Sequence, residues 1–421
     1  MFKSTVKRFA SYNRNIRMLL LGNIFIQSGL GIFMVIYNFY IRELGFSDNV
    51  NGQVISYGSL ATALLLIPAG LLGDKIGRRK LLISGVAATG FFMLLRSMLQ
   101  SEVSLLAMAF LAGGATAFFQ VLIIPLLAEN SSVKERVHIF SLHFAVMTAA
   151  NVAGSLLGGA LTDILKFFIS DLYAIRISLL SGGIIFLCSI VPFLAIAKEK
   201  PKPLESHVSD PAGFDRKSLK VIILFFISQL LIGTGSGLVI PYLNLYFADR
   251  FFVSNSMIAI ILSAGQGATA AAMLIGPRFV KRFGEVKSVV ILQLLSLPFL
   301  LLTAYTHQLW IAAIAFLFRQ ALMNAGNPIQ MSLMMSLVSN RSKGLANSMN
   351  QMAFNLGWAF MGPVSASLVI SLGSYWGYAA VFSITAGIYL LATTFFFIVF
   401  KSLSSQPSFK EGVSKEPVSA H

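Results

Sequence analysis

Charged residues and cysteine are scarce in this sequence of 421 residues, and each scarcity narrows what the chain can be. Asp, Glu, Lys and Arg make up 11% of it, against about 25% in soluble domains. The one cysteine, Cys188, cannot form an internal disulfide and suggests no metal site. The sequence also lacks the G-x-x-x-x-G-K-[ST] loop that cradles nucleotide phosphates. We therefore expect no metal, no cofactor and no direct use of ATP.

Long apolar runs dominate what is present. Hydrophobic residues make up 56% of the chain, and its mean hydropathy is +0.78. A run of about 20 apolar residues must be helical in lipid, because only then does its backbone satisfy its own hydrogen bonds. The pattern predicts an all-α membrane protein with twelve spans. We divide it into a cytoplasmic N-terminus (1–17), a six-helix bundle (18–197), a cytoplasmic linker (198–218), a second six-helix bundle (219–400) and a disordered cytoplasmic tail (401–421).

The net charge of +16 is unevenly distributed along the chain. Of the 32 Lys and Arg residues, 26 lie in the two termini, the linker and alternate loops between spans. Such alternation is typical of cytoplasmic loops, so we expect both termini to be cytoplasmic in a multi-pass protein of the inner membrane. The same charges predict contact with anionic lipid headgroups and argue against nucleic acid as a partner.

Two halves of the sequence resemble each other weakly. The string AMAFL at 107–111 recurs as AIAFL at 313–317, an offset of 206 residues. Gly77 and Gly284 differ by 207, and Gly154 and Gly362 by 208. Agreement in three regions indicates duplication, and two packed repeats around a central site are the architecture that supports alternating access.

The loop after the second predicted span reads GLLGDKIGRRK over residues 70–80. It resembles the signature loop of the major facilitator superfamily, G-x-L-x-D-x-x-G-R-R/K-x. The resemblance implies two pseudo-symmetric six-helix bundles, transport of a small solute and no enzymatic activity. It also implies that Gly73, Asp74, Gly77 and Arg78 close a cytoplasmic gate, for which Arg78 can reach Glu129. Glycine permits the tight turn, and Asp74 can cap the next helix.

Two signatures of drug–proton antiporters in this superfamily are only partly present. Ala109 stands where many such antiporters carry an arginine in the fourth span. The fifth span keeps the glycine-rich stretch Gly154–Gly159 but has Ser155 where the motif has proline. The partial motif favours export, together with an interior rich in Phe and Met.

Arg319 is a cation within an apolar run. It lies nine residues after Trp310, which is about 14 Å along a helix and about half of a ~30 Å hydrocarbon core. A charge there costs at least about 2.5–3.5 kcal/mol unless it faces water, protein or a partner. We predict that Arg319 binds substrate with polar side chains of neighbouring spans; the alternative is that such groups only join helices. The predicted companions are Asn23, Gln27, Gln229, Asn244, Asn324, Asn327, Asn355 and Trp358.

Proton coupling usually requires a titratable group within the membrane. The sequence places no carboxylate at the middle of a span, and His143 is the best titratable group, because histidine changes charge near neutral pH. The alternative is a hydrogen-bonded histidine that serves packing alone.

The sequence therefore predicts a monomeric secondary transporter. We expect proton-linked export of amphipathic compounds by antiport. An importer or uniporter of an anionic or polar metabolite bound by Arg319 is the alternative, and a membrane sensor without transport is a more distant one.

Overall fold

The computed structural model describes residues 12–131, 133–197, 216–273, 275–339 and 342–404. Residues 1–11, 198–215 and 405–421, which hold most of the predicted N-terminus, linker and tail, lie outside this part of the chain.

The described chain contains eleven helices long and apolar enough to cross a membrane. The last of them, Gly344–Leu403, spans 60 residues and is interrupted at Gly373, whose φ is 76°. A turn at this position separates an eleventh span from a twelfth, so the predicted fold class is confirmed. The helices are Arg14–Glu43, Asp48–Ile76, Arg78–Met98, Glu102–Glu129, Val133–Leu165, Asp171–Cys188, Ile190–Leu194, Arg216–Val239, Leu243–Phe251, Asn255–Met273, Gly276–Phe283, Glu285–Tyr305, Leu309–Ala325, Asn327–Leu337 and Lys343–Ser404.

Some spans are built from two helices. The seventh passes through a 3-10 turn at Ile240–Tyr242, and the tenth restarts at Asn327. Pro241 and Pro328 lie at these breaks, and proline interrupts an α-helix because it lacks the backbone N–H donor. The break in the seventh span lies beside the centre of the molecule, where it positions the polar residues described below.

Turns at equivalent positions mark one end of the bundle, which we call the basic end. Gly77 joins the second and third spans with φ 102°, and Gly284 joins the eighth and ninth with φ 77°. Both amides donate back to a carbonyl four residues earlier, Gly73 and Val280 respectively. Positive φ favours glycine because it has no Cβ. We call the opposite end, with the turns at Gly45 and Gly373, the far end.

The six spans of residues 12–197 form one half, and the six spans of residues 216–404 form the other. The halves meet where the second span packs on the eleventh and the fifth packs on the eighth. Glycines bring the backbones together there: a Cβ at Gly52 would lie 2.7 Å from the carbonyl oxygen of Gly362, and one at Gly159 would lie 2.7 Å from that of Asn255. Small residues permit such close helix approach.

We expect Gly362→Val to lower the stability of the protein in detergent by about 1–3 kcal/mol, because the added methyl groups would overlap the backbone of Gly52. The measurement is thermal unfolding followed by fluorescence. Gly387→Val is the matched control, since the space around Gly387 is open. Equal melting temperatures for the two variants would contradict this account of the contact.

Candidate functional site

A central cavity lies between the halves. In this conformation it is narrow and partly open, with room for about one water molecule. Residues of the first, fifth, seventh, eighth and tenth spans line it, and none of these lining residues is charged. Six of the lining side chains are apolar and four are polar but neutral. They are Met34, Val35, Asn151, Ser155, Ile240, Leu243, Leu262, Gln266, Phe316 and Gln320.

Arg319 lies immediately behind this lining. Its side chain is buried, with 3% of the residue exposed. One guanidinium nitrogen, Nη1, donates to Oε1 of Gln320 at 3.0 Å, and Nη2 donates to the hydroxyl of Tyr389 at 3.0 Å. Nε has no hydrogen-bond partner among the described residues. Gln320 therefore contacts both Arg319 and the cavity, and direct contact of Arg319 with substrate stays a prediction.

A set of polar contacts surrounds Arg319 within the second half. The ring of Tyr389 packs against Gly235, where a Cβ would lie 2.7 Å from the ring. Ser236 interacts with the Tyr389 hydroxyl and accepts a hydrogen bond from Nε1 of Trp358 at 2.7 Å. The contacts join the seventh, tenth, eleventh and twelfth spans. Trp358 thus belongs to the surroundings of Arg319, three contacts away from it through Tyr389 and Ser236.

His143 and Asn23 form a buried pair across the first and fifth spans. The amide nitrogen of Asn23 lies 3.3 Å from Nδ1 of His143, and the two residues are 1% and 3% exposed. Which of the two groups donates depends on the tautomer of the imidazole, since the amide can present either its NH₂ or its oxygen to Nδ1. Oδ1 of Asn23 has no partner among the described residues.

The other predicted polar residues are not among those that line the cavity, although Asn244 and Asn324 bond to the backbone of lining residues. Asn244 joins the halves: its Oδ1 accepts from Asn38 at 3.0 Å, and its Nδ2 donates to the carbonyl of Val35 at 2.9 Å. The remaining side chains are half-buried or exposed and bond within their own helix where a partner is found. These are Gln27, Gln229, Asn324, Asn327 and Asn355. Their role in binding substrate stays a prediction.

The signature loop lies at the basic end. Arg78 forms an ion pair with Glu129 at 2.6 Å, which connects the start of the third span to the end of the fourth. Gly73 packs against Leu122 of the fourth span. The side chain of Asp74 lies outside the part of the chain that the structure describes. All these contacts stay within the first half, and their role in a gate is untested.

An ion cluster at the far end escaped the sequence analysis. The guanidinium of Arg42 donates four hydrogen bonds of 2.5–2.8 Å, two to Asp48 of its own half and two to Asp249 of the other half. The hydroxyl of Tyr378 also donates to Asp249, at 2.8 Å. We call these four residues the far-end cluster. Arg42 and Asp249 are 207 residues apart, which is the offset of the sequence repeat. This shared offset is the sequence feature from which the pair could have been predicted.

More polar contacts join the halves near this end. Asp163 accepts from the side chain of Asn255 at 2.9 Å and from the backbone N–H of Ser256 at 2.7 Å. Ser367 donates to Asn49 at 3.2 Å. These contacts connect the fifth span to the eighth and the second to the eleventh, so polar contacts hold the two halves together at the far end.

Two six-helix halves that meet around a largely apolar central cavity with a few neutral polar groups define a membrane transporter. Residues 19–223 and 225–420 match the sequence model of the Major Facilitator Superfamily, and the chain belongs to that family. It is a multi-pass transporter and not an enzyme, as the resemblance of residues 70–80 implied.

Known relatives agree with this assignment. The chain is 25% identical over 408 residues to the multidrug resistance protein MdtG of Proteus mirabilis, which covers 93% of this chain and 97% of that protein. Its fold is similar to a bacterial homologue of the human lysosomal transporter Spinster, with 15% identity, a TM-score of 0.74, and 92% and 96% of the two chains covered. It is also similar to the nucleoside transporter NupG, with 16% identity, a TM-score of 0.73, and 92% and 99% covered.

We expect the far-end cluster to stabilise this conformation through coupled charges. Arg42→Gln and Asp249→Asn should each lower the melting temperature in detergent, and the double variant should lose less than the sum of the two single losses, because both changes remove the shared Arg42–Asp249 pair. The double-mutant cycle for Lys166 and Asp171 is the control, since that pair is more exposed and stays within one half. Additive losses at Arg42 and Asp249 would show that the two residues act independently.

Proposed function

We propose that this protein exports amphipathic compounds across the inner membrane in exchange for protons, by alternating access of its central cavity. The cavity between the halves carries this proposal: it has apolar walls, few polar groups and a closed far end. Walls of this composition suit a solute with a hydrophobic body and a small polar part, which the cavity would admit once the halves move apart on its cytoplasmic side. The similarity to the multidrug resistance protein MdtG supports export.

The charge pattern supports a cytoplasmic basic end. With that orientation, the far-end cluster closes the cavity toward the outside, and the described state faces the cytoplasm. At the basic end, Asn15 contacts Asn130 within the first half. Ser218 likewise contacts Ser339 within the second half. Substrate would enter from the cytoplasm, and separation of the halves at Arg42 and Asp249 would release it outside.

His143 is the proposed coupling residue. It is buried, and its hydrogen bond to Asn23 joins two spans whose residues also line the cavity. Binding of a proton would make both ring nitrogens donors, so the Asn23 amide would have to turn its oxygen toward Nδ1, and it would place a charge between the first and fifth spans. That change supplies a physical route from proton binding to a shift of the two helices.

Import of an anionic metabolite is the second proposal, supported by the buried positive charge of Arg319 beside the cavity. It differs from export in direction, and direction can be measured in vesicles of known orientation. A sensor without transport would show no flux in the same vesicles.

We expect inside-out membrane vesicles containing the protein to accumulate an amphipathic dye when their lumen is acidified, and to lose it when the proton gradient is collapsed. His143→Gln should abolish the dependence on the gradient, because the amide does not titrate. His307→Gln is the control, since His307 stacks on Tyr375 near the far end and has no contact with Asn23. Gradient-dependent uptake that persists in His143→Gln would contradict the assignment of the coupling residue.

Cysteine cross-linking tests the closed far end. Cys188 is the only cysteine, so Cys188→Ser gives a background without thiols. In it, Asn49→Cys with Ser367→Cys should form a disulfide under mild oxidation, because these side chains touch across the halves. Adding Arg42→Gln should lower the cross-linked fraction by opening the far end. The measurement is band shift on a non-reducing gel, and a fraction unaffected by Arg42→Gln would contradict the role of the far-end cluster.

A further inference from the structure

We propose that Gln320 donates a hydrogen bond to the substrate, that Arg319 positions it from behind, and that the cavity takes the anionic head of an amphipathic compound. This inference rests on the proposed function and adds to it the charge of the substrate and the residues that select it.

The orientation of the Gln320 amide is the first step. A glutamine side chain has a carbonyl that accepts and an NH₂ group that donates. Nη1 of Arg319 occupies the carbonyl at 3.0 Å, and a guanidinium has only donors, so this pairing requires the oxygen of Gln320 to face Arg319. Gln320 also lines the cavity. The NH₂ group of Gln320 is therefore the part of the amide that is available to the cavity, where it donates to an acceptor on the substrate.

The charge of Arg319 is the second step. Among the described residues, the cations in ion pairs are Arg42, Arg78 and Lys166. Arg319 forms no ion pair with any described residue. Its contacts are a neutral amide and a phenol, and Nε is left without a partner. Because water is excluded from the packed interior, this charge is screened less than a surface charge. The electrostatic potential of the Arg319 guanidinium therefore extends to the cavity, which its hydrogen-bond partner Gln320 lines.

The composition of the cavity is the third step. Its polar side chains are Asn151, Ser155, Gln266 and Gln320, and none of the lining residues is a carboxylate that could pair with a cationic head group. Ser155 already donates to the carbonyl of Gly31 at 3.2 Å. A cation in this cavity would face the field of Arg319 without compensation, whereas an anion would provide the counter-charge that the buried guanidinium lacks.

The test uses the full-length protein in liposomes and two fluorescent probes with the same pyrene-alkyl tail. One probe ends in a carboxylate and the other in a trimethylammonium group. We expect the wild-type protein to transport the carboxylate faster. Arg319→Gln and Gln320→Glu should each lower the ratio of carboxylate to ammonium rates at least about tenfold, which corresponds to about 1.4 kcal/mol. Arg319→Lys should give an intermediate ratio, because it keeps the charge and loses the planar fork.

Gln320→Glu keeps the size of the side chain and can pair with Arg319, so it remains a usable variant if Arg319→Gln does not fold. Arg96→Gln is the matched control. Arg96 is also an arginine within a span, and its guanidinium carbon lies 3.7 Å from the centre of the Tyr37 ring. Because Arg96 does not line the cavity, its variant should leave the ratio of rates unchanged.

Three results would overturn the inference. The first is faster transport of the ammonium probe by the wild-type protein, and the second is an unchanged ratio of rates in Gln320→Glu. The third is an equal loss of transport of both probes in the Arg319 variants, which would show that Arg319 has a purely structural role. Transport of both probes without a proton requirement would leave the inference standing and refute the antiport. Transport of neither probe by the wild-type protein would refute both.

Discussion

Arg42 carries the contact on which the closed cavity depends. Its guanidinium binds Asp48 of its own half and Asp249 of the other half, so a single cation is shared between two carboxylates. Tyr378 donates a further hydrogen bond to Asp249 and so stabilises the second negative charge. When the halves separate, Arg42 can keep its pair within the first half, while Asp249 keeps only Tyr378. Opening therefore exposes one carboxylate to water and leaves no buried charge unpaired, which makes the change reversible at modest cost.

The remainder of the interface is suited to the same movement. At Gly52 and Gly362 the backbones of the second and eleventh spans touch without side chains between them. Interlocked large side chains would have to leave their packed positions before the halves could rotate. Contacts between glycine backbones, together with single hydrogen bonds such as that of Asn49 with Ser367, hold the halves in register and can break without repacking a core.

Much of this architecture could be predicted from the sequence, because membrane insertion leaves few options for an apolar run. The turns at Gly77 and Gly284 are also where the repeat offset placed them. The site was harder to predict. Arg319 lies in an apolar span as expected, yet only packing shows that it turns toward Tyr389 and leaves Gln320 to face the cavity. The pair of Arg42 with Asp249 follows from no single motif; it depends on residues related by a pseudo-two-fold axis meeting on that axis.

A charge held one residue behind a neutral lining has a consequence for specificity. A guanidinium that touched the substrate would demand a carboxylate or phosphate in a fixed geometry. Behind Gln320 it contributes a field that varies slowly across the cavity, while the apolar side chains of Met34, Leu262 and Phe316 impose no directional contacts. Such a site discriminates by the sign of charge and by hydrophobic area more than by molecular shape. Under the proposed export of amphipathic compounds, this combination would reconcile a buried, costly arginine with substrates of varied shape.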